Sequence, residues 1–191
     1  MNEAVAFEAV KKELKPARFD HTVRVVDTAQ KLAEQYHAPV KQVRLAAILH
    51  DIAKYHPSEG MKTTIRNTDW ITDEWTEFGE AVLHAPAGAI YVKNELGIDD
   101  EEILLAILYH TTGRAKMKLI EKIIFLADYI EPGRRFSGIE EVRKRAEVSL
   151  DDACFLALSN TVHFLAKKHQ PIFPDTLYAY NDLVPINKRR N

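Results

Sequence analysis

The segment Leu45 to Tyr55, LAAILHDIAKY, places the doublet His50 and Asp51 inside an apolar run of helical spacing, where hydration is lost. Burying a carboxylate without a partner costs several kcal/mol, and a divalent cation is one partner that removes the cost. Neighbouring helix side chains point about 100° apart, so two of them can grip an ion lying against the helix. A core histidine bonded to a backbone carbonyl, beside a capping or salt-bridged aspartate, satisfies the doublet equally well. The rest of the chain has to decide.

At 191 residues and 46% hydrophobic, the chain suffices for one well-buried core and is short for two. A single domain over 1–191 is expected, with its core at about 17–170, a short C-terminal extension and a disordered tail, INKRRN. A net charge of -2 with 28% charged residues argues against a nucleic-acid partner or a membrane-surface protein. No apolar run reaches the roughly 18 residues of a spanning helix. The N-terminus, MNEAVAFEAVKKELK, lacks the features of a signal peptide, so a cytoplasmic location is expected. Cys154, the single cysteine, excludes an internal disulfide and a thiolate zinc cluster, and reads as a small core residue. No Gly-rich phosphate loop is found, so phosphate would need local positive charge instead.

Periodicity predicts helices throughout, with no alternating strand pattern and no repeat. The first spans Glu3 to Leu14 and the second Ala17 to His37, whose inward stripe His21, Val25, Thr28, Leu32, Tyr36 carries a histidine. Pro39 opens a third helix through His50 and Lys54 to Tyr55, where Pro57 stops it. The polar stretch 58–80 is expected to hold single turns at most and to close partly over a site, anchored in the core by Trp70 and Trp75. The alternative for these two is base stacking.

Pro86 places His84 just before or at the start of a helix reaching Leu96, with Gly97 as its cap. Asp99 caps a helix ending near His110, and Met117 to Ile130 forms the next, in which Asp128 is the odd residue. A paired or metal-bound carboxylate is the economical explanation for it. Arg134 and Arg135 follow in a loop, within reach of an anionic ligand. Helices at Ile139 to Ala146 and Leu150 to Lys168, then a capped turn or short helix within QPIFPDTLYAYNDLV, complete an all-α chain.

His21, His50, Asp51, His84, His110 and Asp128 are the polar residues expected at buried helix faces or ends, and a bundle can bring them to one cavity. Their order resembles the pattern of the HD-domain metal-dependent phosphohydrolases. The strings RFDHTVRV, ILHDIAK, LHAPAGA, YHTTG, IFLADYIEPGRRF and TLYAYNDL, spread over about residues 18–183, resemble the YqeK family of bacterial symmetrical diadenosine tetraphosphate hydrolases. The resemblance implies an HD-domain helical bundle, a divalent metal, usually iron, and cleavage of a dinucleoside tetraphosphate into two nucleoside diphosphates.

Carried over residue by residue, it assigns His21, His50, Asp51 and Asp128 to the metal. Two imidazoles and two carboxylates suit iron, manganese, cobalt or zinc without a clean choice. His84 and His110 then either hold a second metal or contact phosphates, and phosphate contact is the preferred expectation. Lys54, Arg134 and the Thr111 hydroxyl are candidates for binding phosphate oxygens, and Asp51 for orienting the attacking water as well as ligating. For Lys54 the competing reading is a solvated lysine near a helix end. His37, His56, His163 and His169 match no metal position.

Two other functions compete with this one: an HD-type nucleotidase, deoxynucleoside triphosphatase or alarmone hydrolase, and a non-catalytic HD scaffold. A nucleotide is the expected partner, and the apolar surface such helical folds often expose allows a homodimer.

Overall fold

The structure, a computed structural model, describes residues 1–184, and the expectation for the INKRRN tail lies outside them. The described residues form ten α-helices, one 3-10 helix and no strand, in agreement with an all-α chain. In order these are α1 (Glu3–Glu13), α2 (Pro16–Gln35), α3 (Val40–Leu49), α4 (Ser58–Arg66), the 3-10 helix Asp73–Glu77, α5 (Gly79–Asn94), α6 (Glu101–Tyr109), α7 (Leu119–Ile130), α8 (Ile139–Ala146), α9 (Leu150–Lys167) and α10 (Pro174–Leu183).

Helix α7 lies at the centre because it is apolar on nearly every side, with Ile120, Ile123, Ile124, Leu126 and Ala127 buried. It packs against α2, α3, α6 and α9, and α3 packs in turn against α1, α2 and α6. Side-chain caps fix several helix starts: Asn2 accepts from the Val5 amide at 2.9 Å, and Ser149 from the Asp152 amide at 3.2 Å.

Four local expectations need correction. The third helix stops at Leu49 and does not run to Tyr55, since the His50 imidazole takes the Ala47 carbonyl at 2.7 Å and the chain tightens into i to i+3 turns. The polar stretch is more ordered than its composition suggests, because Met61 and Ile65 are buried one turn apart on α4. His84 lies more than a turn inside α5, and nine buried residues there offset the roughly 3 kcal/mol that Pro86 costs in a helix interior. Asp100, and not Asp99, caps α6, accepting from the amides of Glu102 at 3.0 Å and Ile103 at 3.3 Å.

Of the two tryptophans only Trp75 is an anchor, 1% exposed and stacked on Phe173 with ring centroids 4.0 Å apart, whereas Trp70 is 38% exposed. Trp75→Ala should therefore destabilise the protein by about 3–5 kcal/mol. Urea unfolding will measure this, and a loss below about 1 kcal/mol would mean that Trp75 anchors nothing.

Candidate metal centre

Five of the six singled-out residues converge with their side chains buried, and the sixth, Asp128, is 16% exposed at its side chain. His21 comes from α2, His84 from α5 and Asp128 from the last turn of α7, while His50 and His110 sit at the C-terminal ends of α3 and α6. Those two imidazoles are held alike: His50 Nδ1 donates to the Ala47 carbonyl and His110 Nδ1 to the Ile107 carbonyl, each at 2.7 Å. A carbonyl only accepts, so Nδ1 carries the proton and Nε2 faces the centre. His21 is held the same way by a carboxylate, its Nδ1 lying 3.1 Å from Glu131 Oε1.

Asp51 lies in the middle of the cluster. Its Oδ2 is 3.2 Å from His50 Nε2 and 3.8 Å from His21 Nε2, and its Oδ1 is 3.2 Å from His84 Nε2 and 3.8 Å from His110 Nε2. Asp128 Oδ1 lies 3.0 Å from His21 Nε2. Among the described residues two donor sets could hold an ion, His21 with His50 and Asp51, and Asp51 with His84 and His110, the ligand atoms of each within 4.8 Å of one another. Despite these short distances, His21 Nε2, His50 Nε2 and Asp51 Oδ1 are buried and make no well-aligned hydrogen bond. Buried polar atoms are seldom left so, and here they converge on one point. The cluster is of the kind that takes a divalent metal.

Its electrostatics agree. Burial opposes ionisation of Asp51, yet His50 and His84 hold its carboxyl well below the ordinary range. Asp128 meets the same opposition and is likewise held far down by His21 and Arg134, against repulsion from Asp51. Two carboxylates kept ionised side by side call for positive charge between them. His110 is pushed down to about 3 by burial, with His50 and His84 adding, and His84 is lowered chiefly by burial. His50 goes the other way, because Asp51 outweighs its burial, and the proton so favoured on Nε2 is one an arriving cation would displace.

Cations surround this core. Lys54 Nζ is 3.1 Å from His84 Nε2, so it points into the cluster and is not a solvated lysine. Burial presses its pKa down, and the nearby charges of Arg18 and Arg134 add to that. Arg134 donates to Asp128 Oδ1 at 2.6 Å, and the Thr111 hydroxyl lies 3.1 Å from His110 Nε2. Arg135 stays exposed.

Sequence reasoning missed four residues, Arg18, Arg24, Glu131 and Gly133. Arg18 forms an ion pair with Asp51, and its only signal was its place three residues before His21. Glu131, 1% exposed, is gripped by Arg24 Nε at 2.6 Å as well as by His21. Gly133 lets that grip form, since a Cβ there would come within 2.6 Å of Arg24. Of the remaining histidines, His37, His163 and His169 are exposed, and His56 pairs with Glu13 at 3.1 Å away from the centre.

The HD domain profile matches residues 18–133, which include all six clustered residues. A Halalkalibacterium halodurans protein named symmetrical bis(5'-nucleosyl)-tetraphosphatase is 49% identical over 96% of this chain and 98% of its own length. One of the same name from Bacillus subtilis is 47% identical over the same shares. The crystal structure of a Clostridium acetobutylicum protein, described as a predicted HD superfamily hydrolase involved in NAD metabolism, superposes with a TM-score of 0.85 at 37% identity, covering 96% of this chain and 97% of that one. With the family match across the clustered histidines and aspartates, and full-length relatives at this identity, the chain belongs to the HD domain family and, within it, to the YqeK family.

Proposed function

We propose that the chain is a metal-dependent hydrolase that cleaves diadenosine tetraphosphate between its central phosphates, giving two ADP, and that the reaction is cytoplasmic. The names of the full-length relatives support the substrate. The observation that carries the chemistry is Asp51, whose two oxygens stand between two pairs of histidines and which is ion-paired with Arg18. No described helix is long and apolar enough to cross a membrane. Helices α8 to α10 lie beyond the matched segment, and we assign them to the same domain because α9 packs on α7.

His21, His50, Asp51 and Asp128 would hold the first ion. A divalent ion there supplies Lewis-acid polarisation of a phosphoryl oxygen and acidifies a water. Iron is our choice from the family resemblance, and the nitrogen and oxygen donors admit manganese, cobalt or zinc as well. Arg18, Lys54 and Arg134 neutralise phosphate oxygens, and the Thr111 hydroxyl donates a further hydrogen bond. Asp51, held ionised, orients the attacking water as a hydrogen-bond acceptor.

His110 departs from the phosphate-contact expectation. Neutral, with Nδ1 committed to the Ile107 carbonyl, it presents a lone pair at Nε2 and has no proton to offer a phosphate oxygen. We therefore favour His110, with Asp51 and His84, as ligands of a second ion. Elemental analysis should find two metal equivalents per chain in the wild type and one in His110→Ala. Two equivalents in the variant would return His110 to the phosphate role.

Anaerobic incubation with diadenosine tetraphosphate and ferrous iron, with a chelator control, tests the function. ADP as the sole, chelator-sensitive product is expected. AMP with ATP, or a surviving dinucleotide, would overturn it. A nucleoside, inorganic phosphate or pyrophosphate released from other nucleotides would point to another HD-type phosphohydrolase.

A further inference from the structure

The metal centre and its cations recognise phosphates alone, and nothing among them distinguishes the middle of a tetraphosphate from its ends. Two apolar clefts beside the centre offer that distinction. The first, about 610 Å³, is walled by Tyr129, Phe136 and Phe164, with Asn160 and Arg134 among its lining. Tyr129 and Phe136 meet edge to face with centroids 5.0 Å apart, and Phe136 and Phe164 are 43% and 56% exposed. The Asn160 amide lies there beside the Tyr129 hydroxyl, its nitrogen buried. Arg134 joins this cleft to Asp128 through its 2.6 Å hydrogen bond.

The second cleft, about 480 Å³, is lined by Val82, Phe173, Gln170, Thr111 and again Phe164. Thr111 joins it to the opposite side of the cluster, at His110 and His84. Thr161 and Phe164 of α9 line both clefts, so this strip of one helix is the partition between them. Each volume lies within the range of small-ligand sites, and the exposed rings of Phe136 and Phe164 suit the π-face of a heterocyclic base.

We infer that the two clefts seat the two purine bases of the dinucleotide, which bends into a U around the metal centre, with Phe164 between the bases. The inference rests on the proposed dinucleotide hydrolysis and supplies a reason for its symmetry. With a base held at each end, the tetraphosphate meets the centre at its midpoint, and the central bridge is the bond that breaks.

Phe164 is exposed enough that its truncation should spare the fold. Phe164→Ala is expected to raise KM for diadenosine tetraphosphate about tenfold or more, through the loss of a base-stacking wall. Phe164→Tyr should restore KM. Calorimetry of the metal-loaded wild type with ADP should give two ADP per chain, and both sites should weaken in Phe164→Ala. An unchanged KM in Phe164→Ala, or one ADP per chain, overturns the inference while leaving the hydrolase intact. Failure of the wild type to form ADP would count against the function instead, and ADP stoichiometry would still decide the clefts.

Discussion

Asp51→Ala is expected to lower turnover of diadenosine tetraphosphate by at least about a thousandfold and to strip the protein of bound metal. Asp51 is the one residue shared by both donor sets, with Oδ2 toward His21 and His50 and Oδ1 toward His84 and His110. Its removal takes an anionic oxygen from each set at once and leaves Arg18, its ion-pair partner, directed at four histidines. Metal catalysis is worth several kcal/mol of transition-state stabilisation, and each 1.36 kcal/mol is tenfold in rate, so about 4 kcal/mol gives the thousandfold. His50→Ala should lose the first set and so behave similarly for turnover. A thermal readout is independent of activity: a chelator should lower the melting temperature of the wild type, because an ion bound only by the folded state stabilises it, and should leave Asp51→Ala unmoved. Full metal content or near-native turnover in Asp51→Ala would remove the proposed centre.

The six clustered residues were legible because each interrupts an apolar helical pattern, and α7 is the clearest case, with Asp128 amid buried isoleucines and leucines. The repeat of Ala-Ile-Leu before His50 and, with one residue added, before His110 also stands in the sequence. Its meaning did not, because periodicity places a histidine on a helix and does not say that the imidazole will end that helix by taking a carbonyl three residues back. Trp70 and Trp75 differ only in what tertiary structure sets beside them, and Phe173, which covers Trp75, is nearly a hundred residues away. The helix at 58–66 was hidden by polar composition, since two apolar residues one turn apart are enough when the core receives them. Arg18 and Arg24 were illegible for the same reason of distance: their carboxylate partners lie 33 and 107 residues further on.

Glu131 is the residue whose role only the fold reveals, and its replacement by glutamine tests whether holding an imidazole matters as much as supplying one. The carboxylate accepts from three donors: Oε1 from His21 Nδ1 at 3.1 Å, and Oε2 from Arg24 Nε at 2.6 Å and the Gly133 amide at 2.5 Å. Burial works against its charge, and Arg24, the Gly133 amide and His21 hold its pKa below the usual range nonetheless. Glutamine has the same shape but must turn an NH2 toward one of these donors, so a donor faces a donor whichever way the amide lies. If it faces Arg24 and Gly133, the loop after α7 loosens. If it faces His21, the imidazole loses the acceptor that keeps Nδ1 protonated and Nε2 directed at the centre. Both orientations weaken the first donor set without removing a ligand. Metal affinity of Glu131→Gln is therefore expected to fall about 10–100-fold, with a stability loss of about 1–3 kcal/mol from the unpaired buried donor. Saturating metal should restore most of kcat, since the ligands themselves remain. Unaltered affinity in a metal titration would show that His21 is oriented by packing alone, and a loss of kcat that saturating metal does not recover would make Glu131 a participant in the chemistry itself.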